Sequence, residues 1–401
     1  MAPSSDGADT NPARATLSGL CSSLVGIGLA RFAYTPLIPA LIAAEWFSPG
    51  RAAYLGAANL AGYLAGAVVA RPLAARLRAV TVLRAMMVVA TAAFFACATP
   101  RSFAWYFAWR FAAGIAGGTL MALAAPTVMP HVPPSRRGLA GGVIFTGVGL
   151  GIAASGTLVP LLMRMGLVAT WCGLGVLALA LTGLAWSGWP DESNTVALLR
   201  AGANHRPGLA LGLLSVEYGL DAAGLVPHMV FLVDFIARGL GRGLGVGASY
   251  WIVFGLGAMV GPVLAGQLAD RIGFARAVRL AFLAQAAAVA ALVATASPVA
   301  LFVSSAVVGA LVPGIVPLVL GRVHELIPDD PHRQAAAWSV TTVAFALGQA
   351  GAGYGFSFLY AQTGSYAALF AIAAATLAIA LAIDLIVVFL SARSARFHRP
   401  A

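Results

Sequence analysis

Gly62-Tyr-Leu-Ala-Gly66-Ala-Val-Val-Ala-Arg71-Pro-Leu73-Ala74-Ala-Arg76 closes one apolar run, and Gly257-Ala-Met-Val-Gly261-Pro-Val-Leu-Ala-Gly266-Gln-Leu268-Ala269-Asp270-Arg271 closes another. A shift of 195 residues lays the first on the second, matching both glycines, the Leu-Ala pair and the final arginine. A shift of 197 lays Arg136, Gly151 and Gly156 on Arg333, Gly348 and Gly353. Repetition of apolar runs together with the basic loops that end them predicts two halves of like orientation.

Working outward, almost the whole chain reads as such runs. Hydrophobic residues make up 60% of it and charged residues 9%, whereas a soluble domain needs about a quarter charged residues to face water. A bilayer core ~30 Å thick takes ~20 residues of helix, and lipid-facing backbone has to satisfy itself. Runs without period-2 alternation therefore predict an all-α membrane protein rather than a barrel. Twelve spans are expected near 15–44, 51–71, 80–99, 102–125, 138–161, 166–188, 208–236, 245–269, 277–296, 298–321, 335–361 and 366–391. The expected domains are a cytoplasmic tail over 1–14, a six-helix bundle over 15–189, a cytoplasmic linker over 190–206, a second six-helix bundle over 207–391 and a cytoplasmic tail over 392–401. The polar opening segment has no basic n-region or clean cleavage site, so a retained first helix is expected rather than a signal peptide.

All 24 basic residues are arginine. That excludes lysine chemistry and any Gly-x-x-x-x-Gly-Lys nucleotide loop, so an ion gradient is the expected driving force. Arg71, Arg76, Arg78, Arg84, Arg136, Arg137, Arg200, Arg206, Arg271, Arg276, Arg279, Arg322 and Arg333 flank loops on one side, with Arg14, Arg393, Arg396 and Arg399. Only Arg51, Arg101, Arg164, Arg238 and Arg242 flank the other. The positive-inside rule places the richer side and both termini in the cytoplasm of a bacterial inner membrane. The pI of 10.4 thus reports topology and anionic headgroups, not nucleic acid. Cys21, Cys97 and Cys172 lie in spans without metal-ligand spacing, so no disulfide framework, metal or cofactor is expected. Trp105, Trp171, Trp186 and Trp189 are expected as interfacial anchors. Gly62 with Gly66, Gly114 with Gly118, Gly257 with Gly261 and Gly351 with Gly355 are expected as close helix-packing surfaces.

The loop Gly266-Gln-Leu-Ala-Asp270-Arg271-Ile-Gly273-Phe-Ala-Arg276 resembles the Gly-x-x-x-Asp-Arg-x-Gly signature of the major facilitator superfamily. The resemblance implies the twelve-helix fold in two pseudo-symmetric bundles, alternating access, and a charge latch formed by Asp270, Arg271 and the first-half Arg76. In the first half Ala75 replaces the acid. Arg110-Phe-Ala-Ala-Gly114 is similar to the span 4 pattern of proton-coupled members. Gly147 to Gly156 is similar to the antiporter motif, but with Ile152 in place of its proline and Ser155 in place of a glycine. Gly26 to Pro39 with Ala58 to Gly66 resembles the YbfB-like branch, most of whose members have no assigned substrate.

Counting ~1.5 Å per residue, Arg31, Arg110, Glu217 and Asp221 fall in one middle layer and are expected to meet around a shared wet cavity, because an unpaired intramembrane charge costs at least ~2.5–3.5 kcal/mol. Glu217, Asp221 and His228 share a face of span 7. Two carboxylates one turn apart suit proton coupling, with Arg110 and His228 as partners; structural ion pairing is the competing reading. Arg31 has a planar fork suited to a carboxylate, and Tyr34, Thr35, Asn59 and Tyr63 complete the expected substrate site. An ion pair of Arg31 with Glu217 or Asp221 competes equally. Asp234 is expected to be solvated. Asp384 is expected at the cytoplasmic end, paired or hydrated.

The reading is a monomeric, proton-coupled secondary carrier of a small organic solute, an organic anion being favoured over a cation. Its other partners are protons and membrane lipid. A proton-driven drug or metabolite efflux antiporter and a non-transporting receptor or scaffold are the alternatives. No catalytic set such as His-Glu-x-x-His is present, so an enzyme is not expected.

Overall fold

The computed structural model describes residues 11–133, 136–190, 208–328 and 330–397, which form twelve helical rods and no strand. They are α1 (Pro12–Ala43), α2 (Pro49–Leu77), α3 (Ala79–Ala96), α4 (Phe103–Val128), α5 (Arg137–Met163), α6 (Leu167–Ala185), α7 (Leu209–Gly239), α8 (Gly243–Ile272), α9 (Phe274–Ala294), α10 (Pro298–Leu326), α11 (Pro331–Thr363) and α12 (Tyr366–Phe397). All but α11 contain a stretch long and apolar enough to cross a membrane. α11 is the longest at 33 residues, but Gln334, Thr341, Thr342 and Gln349 interrupt its apolar sequence. The expected linker lies outside the described residues except for Pro190. Helix begins inside the expected N-terminal tail, at Pro12, where Asn11 caps it by accepting from the Ala13 N–H at 3.0 Å. At the other end helix continues to Phe397, past the expected end of span 12.

Two rods are broken, and they are equivalent in the repeat. α1 runs as helix Pro12–Ser23, widens into a π-turn over Leu24–Leu29, turns irregularly over 30–33 and resumes as Tyr34–Ala43. Pro36 cannot donate to the Phe32 carbonyl, which instead takes the Thr35 N–H at 3.3 Å, the expected consequence of proline four residues on. α7 runs as Leu209–Gly224, breaks at Leu225 just before Pro227, resumes as Val226–Asp234 and widens over Phe235–Gly239.

The glycine contacts carry the repeat into three dimensions. Gly62 packs on Phe111 and Gly66 on Ile115, joining α2 to α4; Gly257 packs on Ala306 and Gly261 on Ala310, joining α8 to α10 with every residue displaced by 195. Gly151 meets Gly28, joining α5 to α1, and Gly348 meets Gly219, joining α11 to α7. Contacts between halves are exchanged in the same way: Gly156 of α5 packs on Ile252 of α8, and Gly353 of α11 on Ala57 of α2. No Cβ is tolerated where backbone meets backbone, so small residues set these distances. Gly351 and Gly355 depart from expectation, since nothing lies within 4 Å of the position a Cβ would take.

The halves touch from mid-membrane to the end remote from the arginine-rich loops. Gly50 packs on Ala361, the Tyr54 and Tyr354 rings lie 6.3 Å apart, and Trp251 Nε1 donates to Ser155 Oγ at 3.1 Å. One apolar core accordingly runs through the first half and into this part of the second, whereas a separate cluster around Tyr218, Phe282 and Val319 fills the arginine-rich end of the second half. Trp171 is part of the core rather than an anchor, 1% exposed among Tyr34, Phe94 and Tyr106. Trp189 is likewise buried, while Trp105 and Trp186 are exposed as anchors should be.

Candidate functional site

The irregular turn of α1 delivers Arg31 to the boundary between the halves. Its Nη2 donates to Gln349 Oε1 at 2.8 Å and lies 3.4 Å from Met229 Sδ. Its guanidinium carbon sits 5.0 Å from the Phe32 ring centroid and 5.2 Å from that of Tyr63. Arg110 comes from α4 to the same place: Nη1 donates to the Ala30 carbonyl at 2.6 Å, and the guanidinium lies 4.3 Å over the Tyr34 ring. That bond satisfies an oxygen in the turn, so Arg110 both supports the break and presents a second cation.

Arg31, Tyr34, Thr35, Asn59 and Arg110 line one small cavity, closed from the second half by Met229 and Val230. It has room for about one water. Tyr34 donates to the Ala52 carbonyl at 2.8 Å, Thr35 to the Met229 carbonyl at 2.5 Å, and Asn59 Nδ2 to the Arg110 carbonyl at 3.1 Å. Asn59 Oδ1 and the Nε atoms of both arginines have no hydrogen-bond partner among the described residues. Among the described residues neither arginine pairs with a carboxylate, and no acid lines the cavity.

The four mid-layer charges thus do not converge, a correction to the sequence reading. Depth along a helix axis placed them at one level, but depth carries no rotation. Glu217 faces a different cavity near the arginine-rich end, with Arg322 and Asp384. Asp221 is fully buried beside Gln285 of α9, and neither carboxylate oxygen has a partner within hydrogen-bond geometry among the described residues. His228 is fully buried, Nε2 2.8 Å from Ser304 Oγ, its ring edge-on to Phe370. Asp234 is not solvated: it is 1% exposed and takes Arg238 Nε at 2.6 Å and Tyr366 Oη at 2.5 Å. Asp384 pairs with Arg279 at 2.5 Å. Asp270, Arg271 and Arg76 are exposed and form no ion pair across the halves among the described residues.

The second-half contributors, Gln349 and Met229, were not singled out from the sequence. Gln349 had a signal, since a carboxamide inside an apolar span needs a partner. Met229 had none.

The family described as the uncharacterised MFS-type transporter YbfB matches residues 23–385. No curated protein sequence matches the chain. Among solved structures, that of a D-xylose–proton symporter superposes with a TM-score of 0.73 at 15% identity, covering 93% of this chain and 96% of that one. At that identity the likeness concerns the fold.

Proposed function

The chain belongs to the YbfB-type family of major facilitator transporters, a multi-pass membrane carrier and not an enzyme, and from that premise we propose that it moves a small organic anion, coupled to protons, by alternating access. One observation carries the substrate class: Arg31 and Arg110 line a shared cavity between the halves with no acid among the described residues to neutralise them. Unpaired charge at membrane depth is expensive and marks a binding path. A carboxylate or similar anion supplies the missing counter-charge and can accept from the unused Nε atoms. Tyr34, Thr35 and Asn59 shape the cavity around it, and Tyr63, outside the lining, packs its ring against the Arg31 guanidinium.

Proton coupling is supported by Glu217 and Asp221, intramembrane acids that no cation among the described residues neutralises by direct pairing, with His228 further along α7. In this reading the arginine-rich end faces the cytoplasm of a bacterial inner membrane, following the positive-inside rule. The halves, closed at the other end, are then in a cytoplasm-facing arrangement, with the Asp270, Arg271 and Arg76 latch undone. Each chain holds a complete cavity, which suits a monomer.

Thermal-shift screening of purified protein against organic acids, amino acids and cationic drugs identifies the ligand class. Flux of the best binder into proteoliposomes under an imposed pH gradient then tests transport and coupling. Arg31→Lys and Arg31→Gln are expected to lose uptake; full uptake by both removes Arg31 from the substrate site. Stabilisation by cations alone overturns the anion assignment.

A further inference from the structure

The acids of α7 look away from the substrate cavity. Glu217, Asp221 and His228 share a helix face through their four- and seven-residue spacing, and their polar and aromatic neighbours all belong to the second half. Asp384 of α12, Arg322 of α10 and Arg279 of α9 surround Glu217. Gln285 of α9 lies beside Asp221, and Ser304 and Phe370 lie against His228. Met229 and Val230, which α7 does contribute to the substrate cavity, are turned toward the first half.

Glu217 is 3% exposed, yet it lines a cavity of its own at the arginine-rich end with Ala210, Leu213, Ala275, Arg322 and Asp384. It makes no hydrogen bond or ion pair among the described residues. The cations nearby are already engaged: Arg279 Nε donates to Asp384 at 2.5 Å, and Arg322 Nη1 to Glu325 at 2.8 Å. The remaining rod against this stretch, α11, meets it through Tyr218 on Trp338 and Phe345, with no charged group among its described side chains facing Glu217.

A buried carboxyl so placed has use for a cation. A metal ion such as calcium takes about 6–8 oxygen ligands, whereas the cavity offers two carboxylates, one already paired with Arg279, beside the Arg322 cation and alanine, leucine and valine walls. A proton fits. We infer that Glu217 is a proton-exchange site with its own port at the arginine-rich end of the second half, separated from the substrate cavity by the thickness of α7. The inference deepens the proton-coupled reading above and rests on it. Hydronium in the port gives its proton to a Glu217 carboxylate oxygen, leaving water and the neutral acid. Asp221, one turn and ~6 Å deeper, is the dry neighbour whose protonation the port serves. Communication with the substrate runs through the break at Leu225, beyond which the Met229 carbonyl and thioether touch Thr35 and Arg31.

The test uses the full chain in lipid nanodiscs, without substrate. Dicyclohexylcarbodiimide, an apolar reagent that adds to neutral carboxyls, is applied from about pH 5 to about pH 9, and adducts are mapped by peptide mass spectrometry. Glu217 is expected to be modified, with labelling that falls as pH rises. Arg31→Gln is expected to leave both extent and midpoint unchanged within about twofold, because the two sites are separate; the same comparison in infrared titration should show a carboxyl band lost only in Glu217→Gln. No adduct on Glu217 at any pH overturns the inference, as does a midpoint displaced by Arg31→Gln. Protection by sodium at constant pH overturns it in favour of a metal-cation site. An adduct on Glu217 in a carrier whose flux ignores an imposed pH gradient refutes coupling while leaving the port in place, so the two readings fail separately.

Discussion

Arg31 Nη2 donates to Gln349 Oε1 at 2.8 Å, a bond that leaves the first half and ends on the second. Gln349 Nε2 in turn lies 3.8 Å from Met229 Sδ. A neutral amide therefore stands where the counter-ion of a half-buried guanidinium belongs, and under the proposed function an entering anion would compete with it. Gln349→Leu should lower the unfolding free energy of the empty protein by ~1.5–3 kcal/mol, the range for a hydrogen bond to a charged group. A bound organic acid should restore most of that loss. Thermal unfolding with and without the acid measures both.

Asp234 is the hub of a buried network joining α7, α11 and α12. Besides Arg238 and Tyr366 it meets Tyr360, whose hydroxyl donates to Tyr366 Oη at 2.7 Å. Asp234→Asn strips the charge that Arg238 pairs with, and removing one partner of a buried pair typically costs ~3–5 kcal/mol. Arg238 is partly exposed, so the lower end is expected. Denaturation of the variant in detergent reads the loss, and Tyr366→Phe should show a smaller one of ~1–3 kcal/mol.

Gly114 sits where a Cβ would press on the Asn59 carbonyl, whereas Gly351 faces open space. Gly114→Ala should force α2 and α4 apart at an overpacking cost of ~1–3 kcal/mol. Gly351→Ala should be neutral or slightly stabilising, because alanine is the better helix former by ~1 kcal/mol. Melting temperatures of the pair make the comparison.

Arg110 holds the Ala30 carbonyl and covers the Tyr34 ring at once. Lysine keeps the charge but lacks the planar fork that does both. Arg110→Lys should fold and should weaken binding of the screened acid by about tenfold, roughly the worth of one charge-assisted hydrogen bond. An unchanged dissociation constant by calorimetry would confine Arg110 to shaping the turn.

Membrane class, helix count and the twofold repeat were legible in the chain, because each rests on local composition and on equivalent residues recurring at fixed displacement. The pairings of Gly62 with Phe111 and of Gly257 with Ala306 bear the repeat out. The first-half side of the cavity was also legible, since Arg31, Thr35 and Asn59 are polar residues in apolar runs. Met229 was not, because a thioether in a span looks like any core residue. The sequence reading solvated Asp234 by its depth, whereas the fold surrounds it with Arg238, Tyr360 and Tyr366.

Amino-acid order alone determined that this chain crosses a membrane as two related sets of helices, since hydrophobic length and arginine placement act residue by residue. Tertiary packing alone decided which buried charges share a chamber. Arg31 and Arg110 do, while Glu217 and Asp221 lie on a face of α7 turned away from it, because the azimuth of a side chain about its helix gains meaning only when neighbouring helices are in place.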